Sequence, residues 1–185
     1  MKRILTVMLT AAVLCCGCSR QAPSALETAI LGRVAQQAGT DQASVHLGKV
    51  ECVDSSTFRA EFARRREVFS FKLEQDSKLY ERYRGERKTN NAAAKFAAMQ
   101  KDIRVLASLD SLEQSLSAQL DEIAFYDYRF SATGKMPDGG RLEVPEMYIA
   151  LTPDASVVSM AGDRKALRKG TGRVIPGYLE LFGAE

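Results

Sequence analysis

The chain has 185 residues, 26 Lys and Arg against 23 Asp and Glu, and a single histidine. That length suits one domain with a substantial core. One histidine excludes a histidine metal cage or a two-histidine relay within a chain, and the near-balanced charge leaves no electrostatic footprint for nucleic acid.

Lys2 and Arg3 precede an uncharged, mostly apolar run, Ile4 to Leu14, and then small residues. A basic start, an apolar run of roughly 7–15 residues and a small-residue cleavage site mark a secretory signal peptide. A membrane span needs about 20 apolar residues, so this run is read as a targeting segment. The expected organisation is a signal peptide over 1–17, a polar tether over 18–24 and one α+β globular domain over 25–185. "VLCCGCS" crowds Cys15, Cys16 and Cys18 together, but as a metal site it is short of ligands, since only His46 and Cys52 remain downstream. Leu14 and Gly17-Cys18-Ser19 resemble the lipobox of bacterial lipoproteins. The resemblance implies a diacylglycerol on the sulfur of Cys18 and cleavage just before it. It also implies a lipid-anchored envelope protein, with Ser19 after the cysteine favouring the outer membrane, facing the periplasm. Cys52 is then the one free thiol, predicted to be buried as a small hydrophobe and to form no intramolecular disulfide.

Ser24 and Glu27 form a capping box. Leu26, Ile30, Val34 and Ala38 follow at helical spacing, and Gly39 is a natural stop. "ASVHLGKVECVD" alternates as a strand whose apolar phase switches around Gly48, which predicts a bulge there. His46 falls in this strand and reads as structural or exposed.

Thr57 to Arg84 contains neither Gly nor Pro and predicts a long helix. Phe58, Phe62, Phe69, Leu73, Tyr80 and Tyr83 lie along one stripe. Val68, Phe71 and Leu79 point away from it, which predicts a helix sandwiched between two neighbours. Arg66 and Asp76 sit on the stripe itself, where charges need partners. Glu61/Arg65 and Glu74/Lys78 read as surface pairs at i,i+4. After "GERKTNN" a second helix is expected over Ala92 to Leu120, with Phe96, Met99, Ile103 and Leu106 on one line. A kink or restart is expected near Ser108–Ser111, where Ser111 and Gln114 suggest another capping box. Two long helices with a short connection predict an antiparallel hairpin.

The period then changes to two. Ala124, Tyr126, Tyr128, Phe130 and Ala132 share one face of a strand, expected to be buried against the long helices. Asp127, Arg129 and Ser131 share the other, expected to be polar. Leu142 to Leu151, with Pro145 at a break, and Val157 to Ala161 complete a three-strand meander. "DRKALRKG" adds a short basic helix, and "VIPGYLELF" returns to the core. The fold class is α+β: a short N-terminal helix and a helical hairpin packed on an antiparallel sheet of one early strand and the meander.

Charge is unevenly placed. Residues 59–104 hold 13 basic against 7 acidic residues, and residues 105–160 hold 3 against 9. The basic helices therefore suit either an anionic surface or protein partner, or the acidic half of the same domain. No GxSxG or SxxK signature supplies a nucleophilic serine for His46, and "KGTGR" lacks P-loop spacing. Neither a metal nor a cofactor is expected. Carboxylate catalysis needs two acids about 5–10 Å apart, for which Asp127 with Glu143 or Glu146 is the candidate set. "YDYRFSATG" and "YIALTPDASVVSM" resemble segments of uncharacterised small lipoproteins of gut bacteria, a resemblance that implies no activity. The leading expectation is a non-enzymatic binding domain anchored in the envelope. The alternatives are a carboxylate hydrolase acting on envelope glycans and a structural spacer.

Overall fold

The structure, a computed structural model, describes residues 24–182. The signal segment and the lipidation expected at Cys18 lie outside the described residues. Helix α1 (Ala25–Ala38) opens on the expected reciprocal cap between Ser24 and Glu27 and stops at Gly39, whose φ of 64° is left-handed. Strand β1 (Val45–Thr57) leads directly into helix α2 (Phe58–Gly85), where the Thr57 hydroxyl caps the Ala60 amide. Helix α3 (Thr89–Ser115) returns alongside α2 and is followed by a 3-10 turn, Ser117–Gln119. Strands β2 (Ile123–Lys135), β3 (Arg141–Leu151) and β4 (Val157–Ala161) then form the meander. Helix α4 (Arg164–Gly170) and an irregular apolar tail close the chain.

The sheet is antiparallel throughout, in the order β1-β2-β3-β4. Register shifts between Leu47 and Val50, at the bulge expected near Gly48. It shifts again opposite Pro145, between Val144 and Met147, so β3 runs on through the proline by means of a bulge. At the far end of β1 the backbone closes on its neighbour: a Cβ on Gly134 would stand 2.5 Å from the Ser44 carbonyl oxygen. Thr57 and Ile123 are register partners, so the whole α2–α3 hairpin is inserted between two adjacent strands.

Both faces of the sheet are covered. On one, Ile30, Val34 and Ala35 of α1 pack on Val45, Phe130, Ala132, Ile149 and Leu151. On the other, Leu167 of α4 packs with Phe125, Ala150 and Val158. A third cluster joins the base of the hairpin (Phe62, Phe69, Val105, Leu109) to Ile175 of the tail, with the Phe69 and Phe182 rings stacked at 6.0 Å. The tail returns to a core as expected, mainly the hairpin's, while Val174 also packs against the sheet cluster beneath α4.

Several expectations are corrected. The tyrosine face of β2 is covered by α1 and not by the long helices, because the hairpin leaves from the end of β1 and its base packs on the tail. Tyr126 and Tyr128 are consequently only half-buried. The tail packs on α2 only at its base, and among the described residues nothing covers its outer side, where Val68 and Phe71 are 49% and 63% exposed. Helix α3 runs unbroken past Ser111, whose hydroxyl bonds back to the Ala107 carbonyl instead of capping a new helix. Its buried side is Ala92, Asp102, Val105 and Leu109, while Phe96 and Ile103 of the expected apolar line are 48% and 49% exposed. Cys52 is exposed on β1, since α1 is too short to cover the edge strand beyond its own reach.

Candidate interaction surface

Asp127 lies on the face of β2 that carries Phe125, beneath α4, and is fully buried. This overturns its placement on a solvated face. The α4 cap, Asp163 to the Ala166 amide, starts the helix so that Arg164 and Arg168, one turn apart, both reach down to the sheet. Arg168 Nη2 approaches Asp127 Oδ2 to 2.5 Å and Asp54 Oδ2 to 3.0 Å, and Arg164 Nη2 stands 2.5 Å from Asp54 Oδ2. Neither Asp127 oxygen gains a well-directed hydrogen bond. Burial therefore pushes its carboxyl above the ordinary range despite both arginines, and burial lowers Arg168. For Asp54, burial is outweighed by the Ser55 amide, Arg164 and Arg168, and the carboxyl is lowered.

The expected pairing of Asp127 with Glu143 or Glu146 is not assembled; the carboxylate beside Asp127 is Asp54, its register partner on β1, and Arg168 binds both. Asp127 pairs in register with Ala150, and Glu146 lies four residues further along β3, about 13 Å away at strand spacing. Glu146 instead accepts the Tyr148 hydroxyl and faces Arg129. Glu143 is more distant still, opposite Thr133. Arg129, with Lys49, holds exposed Glu51 at a pKa lowered to about 2. His46 is exposed on β1 opposite Thr133. Among the described residues no group of three or more His, Cys, Asp or Glu is placed to hold a metal ion.

A second enclosed cluster involves Glu61 and Arg65, which form a buried pair and not the surface pair their spacing suggests. Arg65 Nε donates to Glu61 Oε1 at 2.7 Å, and Arg65 also donates to the Thr171 hydroxyl and the Arg168 and Lys169 carbonyls. Thr171 in turn donates to Glu61 at 2.9 Å. The last two acceptors are carbonyls at the end of α4, so a side chain of α2 caps another helix. Tyr178 covers the guanidinium, 5.7 Å away. Gly172 is required beside it, because a Cβ there would stand 2.6 Å from the Tyr178 ring and 3.0 Å from Arg65 Nε. These two clusters fasten α4 to the sheet and to α2; the second is enclosed, while Arg164 and Asp54 of the first stay half-exposed.

The outward-facing chemistry is on the hairpin. Its inner seam changes character along its length. Phe62, Phe69, Val105 and Leu109 fill the base. Past Phe69, charges occupy the seam: Lys72 to Asp102 at 2.9 Å and Lys95 to Asp76 at 2.7 Å, with Asp102 and Asp76 1% and 7% exposed. Arg66 reaches Asp110 and Glu113. The basic helix thus faces the acidic end of α3 along the lower hairpin, as one of the two expectations had it, and Arg66 and Asp76 both have the partners their stripe position requires.

Beyond Phe69, α2 continues 16 residues to Gly85, about 24 Å at helical rise. Residues 78–96 at the tip carry six Lys or Arg against two Glu. Tyr80 and Phe96 touch at 5.8 Å, Arg84 lies 5.9 Å over Tyr80, and Arg82 lies 5.2 Å over Tyr83. Between the helices is a groove of about 300 Å³ lined by Tyr80, Tyr83 and Phe96 together with Arg84, Arg87 and Thr89. The connection is forced tight, and Arg87 takes a left-handed φ of 55° where Gly or Asn would be cheaper. The sequence shows the basic excess here. It does not show that cations and rings form one layer, since that depends on how the two helices meet.

Compared with protein-family models, curated proteins and solved structures, the chain matches none. No helix among the described residues is long and apolar enough to cross a membrane.

Proposed function

We propose that this chain is the precursor of a bacterial envelope lipoprotein, anchored through Cys18 in the outer membrane and facing the periplasm. Its folded domain is a non-enzymatic binding module, with the α2–α3 hairpin as the contact arm. One observation carries the reading. The distal arm buries Asp76 and Asp102 in its seam while Phe71 and Ile103 face outward and Phe96, against Tyr80, stays half-exposed. A helix pair whose only neighbour is water gains by the reverse arrangement, so outward apolar residues favour an arm that is covered by a partner in use. The same feature counts against a passive spacer. The hydrolase alternative draws little support from Asp127: it is enclosed, and its one close carboxylate neighbour, Asp54, is held with it by Arg168 and by Arg164.

A photo-crosslinking amino acid placed at Phe71 or Phe96 of the lipidated protein, in its own membranes, tests the proposal. Adducts from these positions but not from His46 are expected. Equal yields at all three sites would remove the arm's special role. Parallel labelling with a radioactive fatty acid should mark the wild type and not Cys18→Ser, and equal labelling would remove the anchor.

A further inference from the structure

We infer that the tip of the arm docks on an anionic phospholipid bilayer, its rings entering the interfacial layer and its arginines binding head-group phosphate. The inference rests on the arm being the contact element and names what it contacts. Three features of the tip converge on this partner. First, the charge is local: with Lys95 and Lys78 paired to Asp76 and Glu74, the last turn of α2 and the connection still carry Arg82, Arg84, Arg87 and Lys88 against Glu81 and Glu86, on a chain whose total is nearly balanced. Basic residues gathered within a Debye length of an anionic leaflet each add to its attraction. Second, the aromatic side chains share that layer. Arg82 and Arg84 lie over the Tyr83 and Tyr80 rings, so each cation is held beside an aromatic face. Tyrosine and basic residues together at one level suit the membrane–water boundary, where a ring can sit among glycerol groups while a guanidinium binds phosphate. Third, the groove's lining is mostly apolar, with Tyr80, Tyr83 and Phe96, and includes the cations Arg84 and Arg87. It therefore matches an amphiphile entered tail-side first, with its phosphate left at Arg84 and Arg87.

An acidic protein would meet the same charges, but a stable protein interface needs about 800 Å² from each partner. The tip of a two-helix hairpin offers little such area. A bilayer needs less, because a protein already anchored by lipid holds its tip at high effective concentration beside membrane. The strained connection fits this role. Arg87 at φ 55° costs more than glycine would, and it keeps a guanidinium on the groove, in the connection between the two helices.

The chain contains no tryptophan, so Tyr83→Trp installs a unique reporter at the tip. The lipidated full-length protein carrying it is reconstituted into vesicles of phosphatidylcholine alone, or with one-quarter phosphatidylglycerol. Docking predicts blue-shifted emission, and quenching by lipids brominated high on their acyl chains, in the anionic vesicles only. Reversal by high salt is also expected. Adding Arg84→Ser, Arg87→Ser and Lys88→Ser should lower the docked-to-free ratio about 100-fold without changing the melting temperature, because these side chains are exposed. Emission and quenching that are identical in neutral and anionic vesicles overturn the inference. If crosslinks from Phe96 to a protein persist in that case, the arm is a contact element for protein and only the lipid partner falls. If they are absent too, the reading of the arm falls with it.

Discussion

Replacing Arg65 with methionine isolates the energetics of the joint between α2 and α4. Methionine keeps much of the apolar stem under Tyr178 but removes every donor. Glu61, fully buried, then loses its principal counter-charge and keeps only the Thr171 hydroxyl and Arg64, whose Nη1 lies 2.7 Å from its other oxygen. Breaking a buried ion pair from one side costs about 3–5 kcal/mol. The Arg168 and Lys169 carbonyls lose a donor as well, at about 1 kcal/mol each where water does not replace it. The expected loss is about 4–6 kcal/mol, a large share of the 5–15 kcal/mol typical of a domain. With a urea slope of about 2 kcal/mol/M, the unfolding midpoint should fall by about 2–3 M. Adding Glu61→Gln to Arg65→Met should recover at least about 1 kcal/mol, because the stranded charge is gone. A single variant within about 1 kcal/mol of wild type, or strict additivity in the double variant, would refute the assignment of Arg65 as the joint.

Two further predictions concern Asp127 and Cys52. Burial raises the Asp127 carboxyl above its unfolded value, so the native state binds that proton more tightly and the carboxylate weakens the fold as pH rises from about 4. Asp127→Asn should therefore gain stability relative to wild type as pH rises from about 4 to 7; urea unfolding along that series checks it, and a difference moving the other way rejects it. Asp54 and Glu51, both lowered, act in the opposite sense and lose their contribution as pH falls below about 4. Cys52, exposed on β1, should react with a thiol reagent in the native protein as fast as a small-molecule thiol; a rate slowed to that of unfolding would place it in the core after all.

Sequence signals proved most legible where they are local. The Ser24–Glu27 cap and Gly39 bound α1 because capping is decided within one turn, and the phase switch at Gly48 reads directly as a bulge because side chains alternate without exception along a strand. What failed depended on neighbours. Asp127 reads as solvent-facing only if the sheet has one covered face. Phe125, on Asp127's side and fully buried, is the sign in the sequence that both are covered. On α3 the apolar line through Phe96 and Ile103 was not the seam, because Asp76, Lys95, Lys72 and Asp102 satisfy one another there and displace hydrophobes outward. Glu61/Arg65 and Glu74/Lys78 are identical patterns with opposite fates, buried and exposed, because α4 and the tail pack only on the first.

The splice of the arm between Thr57 and Ile123 has a consequence for the order of folding. Before β1 can meet β2, a loop of roughly 65 residues must close, with an entropic cost that no sheet contact has yet offset. The arm removes that obstacle by running out and back. Local helix formation is complete within about a microsecond, and once the Phe62–Leu109 region associates, the two strand ends are delivered side by side. Strand pairing then starts from adjacent residues, as in a tight hairpin. This order of events predicts that loosening the base of the arm slows assembly of the whole sheet, whereas changes at the tip leave the folding rate unaltered.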